Sequence, residues 1–153
     1  MAGARPGSLF YGLSVSELEI RLREDRTELD HWAAMVMMAS FEAMVWTDAK
    51  NRLDKRNKDS LWHLIREIYQ QAEQNWRKVR FVDLLDQYHQ CSSISVERKQ
   101  TLRRLLDFRH WIAHGRHWTL KTGHKPLGPG EVLQILEDHR DALRSDWGDF
   151  PLA

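Results

Sequence analysis

Apolar residues recur at helical spacing through most of this chain, and strand-like alternation is rare. In the first long segment they fall three or four positions apart, which predicts one helix that starts at a Ser14 or Ser16 cap and runs to about Leu53. A break in this helix is expected near Arg26–Thr27. The apolar residues that recur near helical spacing are Leu18, Leu22, Leu29, Trp32, Ala33, Val36, Ala39, Ala43 and Trp46.

A second helical pattern follows the charged stretch of residues 48–59, which is expected to contain a turn. It starts at an Asp59 or Ser60 cap, because short polar side chains satisfy the free N–H groups of a helix start. After a bend around Lys78–Arg80, its apolar stripe continues to Tyr88.

Two more helices are predicted in the second half of the chain. The loop Cys91–Ser95 precedes a third helix, from about Val96 to His114, for which Gly115 is a natural C-terminal stop. Pro129 suits the start of a last helix over about 130–145, because proline is favoured at the first helical position.

These elements predict an all-α fold, an up-and-down bundle of four to five helices. Residues 1–13, rich in glycine, are expected to be a flexible lead-in to a single domain spanning residues 14–153. Residues 116–130 form a long connection, within which a short hairpin is possible at 116–125.

Composition indicates the class of protein and the compartment in which it is expected. The chain has 153 residues, enough for one domain with one core, and its 42% hydrophobic and 29% charged residues are typical of globular proteins. The single cysteine, Cys91, excludes an internal disulfide and a cysteine-based zinc cluster, and it favours a reducing environment. Met1–Leu13 is unlike a signal peptide, and Trp32–Trp46 is too short to span a bilayer. We therefore expect a cytoplasmic protein without a membrane partner.

Charge is uneven along the chain although the formal net charge is only +1. Between Glu97 and Lys125 there are eight Lys/Arg residues, two acidic residues and four histidines. Such a local surplus can hold a polyanion on an otherwise neutral chain, although a solvated basic face would have the same composition.

The third predicted helix breaks its own apolar pattern at Arg109. On a helical wheel this arginine lies at the centre of the stripe formed by Leu102, Leu105, Leu106, Ile112 and Ala113. A guanidinium there needs a partner or access to a cleft, because an unpaired buried charge is strongly unfavourable. Glu42, in the apolar run of the first helix, is a possible partner.

The opposite face of this helix groups Arg103, Asp107, His110 and His114. The two histidines are one turn apart, and Asp107 is placed to orient His110. His114 lies at the helix C-terminus, where the dipole favours an imidazolium. Arg109 and His114 are about 140° apart on an ideal helix. They can act together only if the arginine bends around, the last turn deforms, or two subunits share the site.

The segment LLDFRHWIAHGR, residues 105–116, resembles the signature of HEPN domains (higher eukaryotes and prokaryotes nucleotide-binding). That signature is an Arg, a polar residue, three further residues and a His near the end of a late helix, and Arg109, His110 and His114 match it. The resemblance implies a metal-independent endoribonuclease, usually a homodimer with two motifs facing a shared cleft. It also implies a role in toxin–antitoxin or antiviral defence systems, with an antitoxin or a larger defence complex as a partner.

The chemistry expected of this motif is attack of an RNA 2′-OH on the adjacent phosphate, without cofactor or metal. His114 is predicted to be the acid/base, Arg109 to stabilise the phosphorane, and His110 to orient or contact the phosphate. Around them, we expect Arg103, Arg104 and Arg116 to guide single-stranded RNA, and Trp111, His117 and Trp118 to stack on its bases, with Asp107 and Glu42 in support.

Three alternatives stay open. A non-catalytic HEPN-like module for dimerisation or partner binding would have the same fold. A metal site is compatible with the spacing of His110 and His114, but Trp111 occupies the position of the glutamate in a His-Glu-x-x-His motif. DNA binding is the third; an Arg/His site without a metal favours RNA, because RNA carries its own nucleophile.

Overall fold

The computed structural model describes residues 11–55, 58–114, 127–148 and 150. These residues form five α-helices and no strand, which confirms the predicted all-α helical bundle. The helices are α1 (Val15–Lys55), α2 (Ser60–Gln74), α3 (Phe81–Gln90), α4 (Val96–Ala113) and α5 (Pro129–Trp147). Residues 1–10 of the predicted lead-in at 1–13, and the possible hairpin at 116–125, lie outside the described residues.

The helix starts follow local sequence chemistry. The Asp59 carboxylate accepts a hydrogen bond from the Trp62 backbone N–H at 2.7 Å, which caps α2. The Ser95 hydroxyl accepts from the Arg98 N–H at 3.3 Å, which caps α4. Pro129 is the first residue of α5, as predicted.

The predicted break near Arg26–Thr27 is wrong, since α1 is one continuous helix of 41 residues. Thr27 instead donates its hydroxyl to the Arg23 carbonyl at 2.9 Å within the helix. The expected bend around Lys78–Arg80 is a full interruption, because α2 ends at Gln74 and α3 begins at Phe81.

α1 packs against each of the other four helices, but not through most of the apolar positions whose spacing predicted the helix. Its buried apolar residues are Ala34, Met38, Phe41, Val45 and Ala49. By contrast, Leu29, Trp32 and Val36 are 68%, 68% and 61% exposed. α1 carries two apolar stripes, and the one with larger side chains is not the one that faces the core.

A polar cluster lies buried beside this core and explains why α1 extends into the charged stretch. Asp48 and Arg52 are 3% and 6% exposed, and Arg52 Nε donates to Asp48 at 2.6 Å. The Tyr88 hydroxyl of α3 donates to the same carboxylate at 2.6 Å, and Arg52 Nη1 bonds Asp59 at 2.8 Å. Burial and the charge of Asp48 strongly raise the pKa of Tyr88. The cluster therefore joins α1 to the start of α2 and to α3.

None of the helices in the described ranges combines the length and apolarity needed to cross a membrane.

Candidate functional site

The C-terminal half of α4 presents its predicted site residues on two sides of a helix anchored in the core. Leu102, Leu105 and Phe108 are buried, which fixes the rotation of α4 about its axis. Arg109, next to Phe108, is partly buried towards α1, whereas His110 and His114 are exposed.

Arg109 forms an ion pair with Glu42, the residue named from the sequence as its possible partner. Arg109 Nη2 lies 3.0 Å from Glu42 Oε2, and the two side chains are 37% and 23% exposed. Arg109 Nε is buried and has no hydrogen-bond partner among the described residues. Because Nε is buried, an anion arriving from solvent would approach the outer nitrogens of the guanidinium and would compete with Glu42.

The two histidines of the motif lie side by side at the end of α4. Their ring centroids are 4.1 Å apart and their planes are tilted by 59°. His114 is the C-cap of the helix, and its backbone N–H donates to the His110 carbonyl at 3.1 Å. The two imidazole rings therefore form one polar, solvent-facing pair at the C-terminus of the helix.

The helical separation of Arg109 from His114 is retained. The hydrogen bond to the His110 carbonyl preserves α-helical geometry up to the C-cap, so the last turn is not deformed to bring the two groups together. Arg109 lies towards α1 and His114 faces solvent. Of the three ways to unite them, a bent arginine or a site shared by two subunits remains.

The predicted strand-guiding arginines have different environments. Arg103 Nη2 lies 2.7 Å from Asp86 Oδ1 of α3, so this guanidinium helps to hold α3 and α4 together. Arg104 is exposed, as is Asp107, which precedes His110 by three residues. Three further predicted RNA-binding residues lie outside the described residues: Arg116, His117 and Trp118.

Trp111 is partly buried and packs within the protein rather than standing free for base stacking. Its ring stacks against Phe108 with centroids 5.9 Å apart. His31 of α1, which is 7% exposed, meets Phe108 and Trp111 edge to face at 6.0 Å and 5.8 Å. Sequence reasoning missed His31; its one signal is the helical phase, because it lies eleven positions before Glu42, close to three turns.

No group of three or more His, Cys, Asp or Glu side chains in the described residues is arranged to hold a metal ion. His110 and His114 would supply two ligands, fewer than the three or four protein ligands usual in a zinc site.

Comparison of the chain with protein-family models, with curated proteins and with solved structures finds no match.

Proposed function

We propose that this protein is a metal-independent endoribonuclease that cleaves single-stranded RNA. The observation that carries the proposal is the exposed His110–His114 pair, 4.1 Å between ring centroids, which follows directly after Arg109. This arrangement offers two proton-transfer groups and a forked cation within one helix end. The resemblance of residues 105–116 to the HEPN signature supports the same reading and extends it to a toxin or defence effector restrained by a partner.

The reaction needs only groups present in the chain and in RNA. A base removes the 2′-OH proton, the 2′-oxygen attacks the adjacent phosphorus, and the P–O5′ bond breaks. An acid then protonates the departing 5′-oxygen, which leaves a 2′,3′-cyclic phosphate and a 5′-OH end. His114 acts as acid/base, assisted by the helix dipole, and His110 orients the phosphate.

Arg109 stabilises the phosphorane charge in this mechanism. Its Nη2 is held by Glu42, so the guanidinium is positioned before RNA binds. A phosphate approaching the arginine replaces the carboxylate as the anion on the fork.

A homodimer would unite groups that one chain separates. If two copies place their α4 ends side by side, Arg109 of one copy can serve His114 of the other. The exposed apolar stripe of α1 supplies a surface for this pairing. We name it the α1 seam; it comprises the partly buried Leu18 and the exposed residues Val15, Leu22, Leu29, Trp32, Val36, Ala39 and Ala43.

The α1 seam has the spacing of a coiled coil. Val15, Leu22, Leu29, Val36 and Ala43 follow one another at intervals of seven, as do Leu18, Asp25, Trp32, Ala39 and Trp46. A stripe of this length left in solvent is typical of an interaction surface. Glu42, the partner of Arg109, neighbours Ala43, so a molecule bound to the seam lies beside the candidate site.

Charge and size favour an antiparallel second copy on the seam. A parallel pair would set Arg21 against Arg26 of the other chain, which is repulsive. An antiparallel pair centred between Leu29 and Trp32 avoids this contact. It also sets Leu22 opposite Ala39, so that large and small side chains interdigitate.

A second candidate function is a non-catalytic module that dimerises or binds a defence partner. The ion pair of Arg109 with Glu42 favours it, because a paired arginine stabilises the bundle without any substrate. The same fold and the same α1 seam would serve this role.

The test is gel-resolved cleavage of single-stranded RNA in excess EDTA, with analysis of the end groups. We expect wild type to leave 2′,3′-cyclic phosphate ends and His114→Ala to lose at least a hundredfold in rate, the usual contribution of a general acid or base. His63→Ala removes an exposed histidine of α2 and should cleave as wild type does. A folded wild type that cleaves no RNA in several sequences would favour the non-catalytic module.

A further inference from the structure

Trp76, in the connection between α2 and α3, has an unusual backbone and an unusual environment. It is the one non-glycine residue with a positive φ in the described part of the chain, at +53°. Its N–H donates to the Glu73 carbonyl and the Arg77 N–H donates to the Ala72 carbonyl, at 3.1 Å and 3.0 Å. This pair of bonds is the Schellman motif, in which the residue at the Trp76 position is usually glycine.

The Trp76 side chain makes little packing contact that would offset this unfavourable backbone conformation. Its side chain is 97% exposed, more than any other large apolar side chain in the described residues. A bulky residue is disfavoured in the left-handed region, and an indole in water buries no apolar surface. Features that break local rules in this way point to function rather than stability.

The connection that follows this indole is rich in cations. Arg77 and Lys78 follow it directly, are exposed, and make no ion pair with the described residues. Arg80 is bound to Asp83 by two hydrogen bonds, at 2.9 Å and 2.7 Å, which steadies the end of the connection next to α3. The cations of this connection that make no ion pair with the described residues are therefore those next to Trp76.

Two grooves flank the same connection, with volumes of about 470 and 490 Å³. Both volumes lie within the range of ligand clefts. They share four lining residues: Ala72, Arg77, Lys78 and Val79. The first groove also contains Tyr69 and Arg66, so an aromatic ring and a further cation lie along it.

We propose that residues 75–80 form a docking site for single-stranded RNA, in which Trp76 stacks on a base and Arg77 and Lys78 contact the phosphates on either side. Stacking on an exposed aromatic ring combined with flanking cations is how proteins hold unpaired strands without reading their sequence. The inference rests on the proposed function for the identity of the RNA. It adds a second contact point away from the α4 site.

The connection lies on the flank of α1 that carries the candidate site. Phe81 follows the connection directly, and its ring lies 6.4 Å from that of Trp46 in α1. Trp46 is one helical turn from Glu42, which pairs with Arg109. A strand held by Trp76 therefore needs to pass along one side of α1 to reach α4.

The surroundings favour RNA over a lipid surface. A membrane anchor needs several apolar tips, whereas the exposed neighbours of Trp76 are polar: Gln71, Glu73, Gln74 and Asn75. Only Val79 in the connection is apolar besides the indole, and it is partly buried.

The test measures binding of a labelled, 2′-O-methyl-modified single-stranded RNA by fluorescence anisotropy. The methyl group removes the nucleophile, so binding is measured without cleavage. We expect Trp76→Gly to weaken binding about tenfold or more, the effect of losing one stacked base. The same substitution should raise the midpoint of thermal unfolding, because glycine relieves the left-handed backbone. Trp76→Phe should keep most of the affinity.

The charge contribution has its own matched control. Arg77→Gln with Lys78→Gln should weaken binding and reduce its dependence on salt, since each lost phosphate contact lowers the slope by about 0.7. Arg23→Gln with Arg144→Gln removes the same charge from exposed positions elsewhere and should bind as wild type does.

Unchanged RNA affinity in Trp76→Gly would overturn the inference. The inference would also be overturned if the protein does not bind RNA but binds phosphatidylserine vesicles in a way that depends on Trp76. If RNA binding depends on Trp76 but wild type cleaves no RNA, the proposed nuclease activity is wrong and the proposed docking site is kept. If Trp76→Gly changes neither the cleavage rate nor the RNA affinity, the docking site is wrong and the proposed nuclease activity is kept.

Discussion

His89 in α3 shows how burial changes one ionisable side chain. It is 4% exposed, and its Nε2 has no hydrogen-bond partner among the described residues. Burial, and then the charges of His139 and Lys99, lower the pKa of His89 from its usual 6.5 to about 4. Burial also lowers the pKa of His139, whose ring centroid is 6.2 Å away. Both imidazoles are therefore neutral in the folded protein near pH 7.

We expect the free energy of unfolding to fall as the pH drops from about 6.5 towards about 4. In that window the unfolded chain protonates His89 and the folded protein does not, so the unfolded state binds more protons and is favoured by acid. At about 1.4 kcal/mol per pKa unit, His89 contributes roughly 2 kcal/mol of lost stability between about pH 6.5 and pH 5. Urea unfolding at the two pH values, followed by circular dichroism, measures this loss.

Carboxylates also titrate in acid, so the measurement compares variants. His89→Leu should lose less stability than wild type over the same interval, because the neutral side chain has nothing to protonate. His63→Leu, at an exposed position of α2, should follow wild type. Equal pH dependence in His89→Leu and wild type would show that His89 is not the cause.

At the scale of the element, α1 shows that one helix can carry two competing apolar stripes. The stripe that faces the core uses smaller residues such as Ala34 and Ala49 beside Phe41, which lets neighbouring helices approach closely. The α1 seam carries larger side chains, Trp32 among them, and stays in solvent in the single chain. Both stripes have helical periodicity, so the sequence pattern alone does not show which of them is buried.

Trp32→Glu should convert the proposed dimer into a monomer. The substitution places a charge at the centre of the seam, where pairing with a second copy would bury it without a partner. Sedimentation velocity at micromolar concentration measures the change, with wild type expected as a dimer.

Thr27→Glu is the matched control for that experiment. It adds the same charge to an exposed position of the same helix, on the side opposite the seam. A monomeric wild type, or a Trp32→Glu variant that stays dimeric, would mean that the seam does not hold two copies together.

At the scale of the whole molecule, the candidate site depends on two helices that are far apart in sequence. α4 contributes Arg109 and the histidine pair, and α1 contributes Glu42 and His31. A second copy on the α1 seam would add another α4 end beside this arrangement.

A shared site predicts complementation between inactive variants. Arg109→Gln and His114→Ala should each be inactive alone, whereas an equal mixture should regain about a quarter of wild-type cleavage. Half of the mixed dimers are heterodimers, and each contains one site with both intact groups. Cleavage of single-stranded RNA in EDTA, after the variants have exchanged subunits, provides the measurement.

Adding Trp32→Glu to both variants should abolish the recovery, because monomers cannot share groups. If the mixture stays inactive while wild type is a dimer that cleaves RNA, Arg109 and His114 act within one chain, and the arginine bends around α4.

Much of the fold could be predicted from local chemistry. Asp59, Ser95 and Pro129 mark helix starts because a cap or a first-turn proline acts on N–H groups within three or four residues. The core-facing residues Leu102 and Leu105 of α4 follow from periodicity alone. Glu42 could be named as a partner for Arg109, since an acidic residue in an apolar stretch of a helix needs an opposite charge.

Sequence alone therefore sufficed for the all-α fold, for several helix starts and for the Arg-His segment on α4, because these depend on neighbours a few residues away. The tertiary structure decided which stripe of α1 is buried, that His31 lies against Trp111, and that Trp76 has a left-handed backbone in solvent. The Trp76 backbone is set by local hydrogen bonds at the end of α2, and it required the structure because a non-glycine residue gives no signal for this turn. The other two features depend on how distant helices share a limited buried surface. That competition is settled only when all five helices pack together.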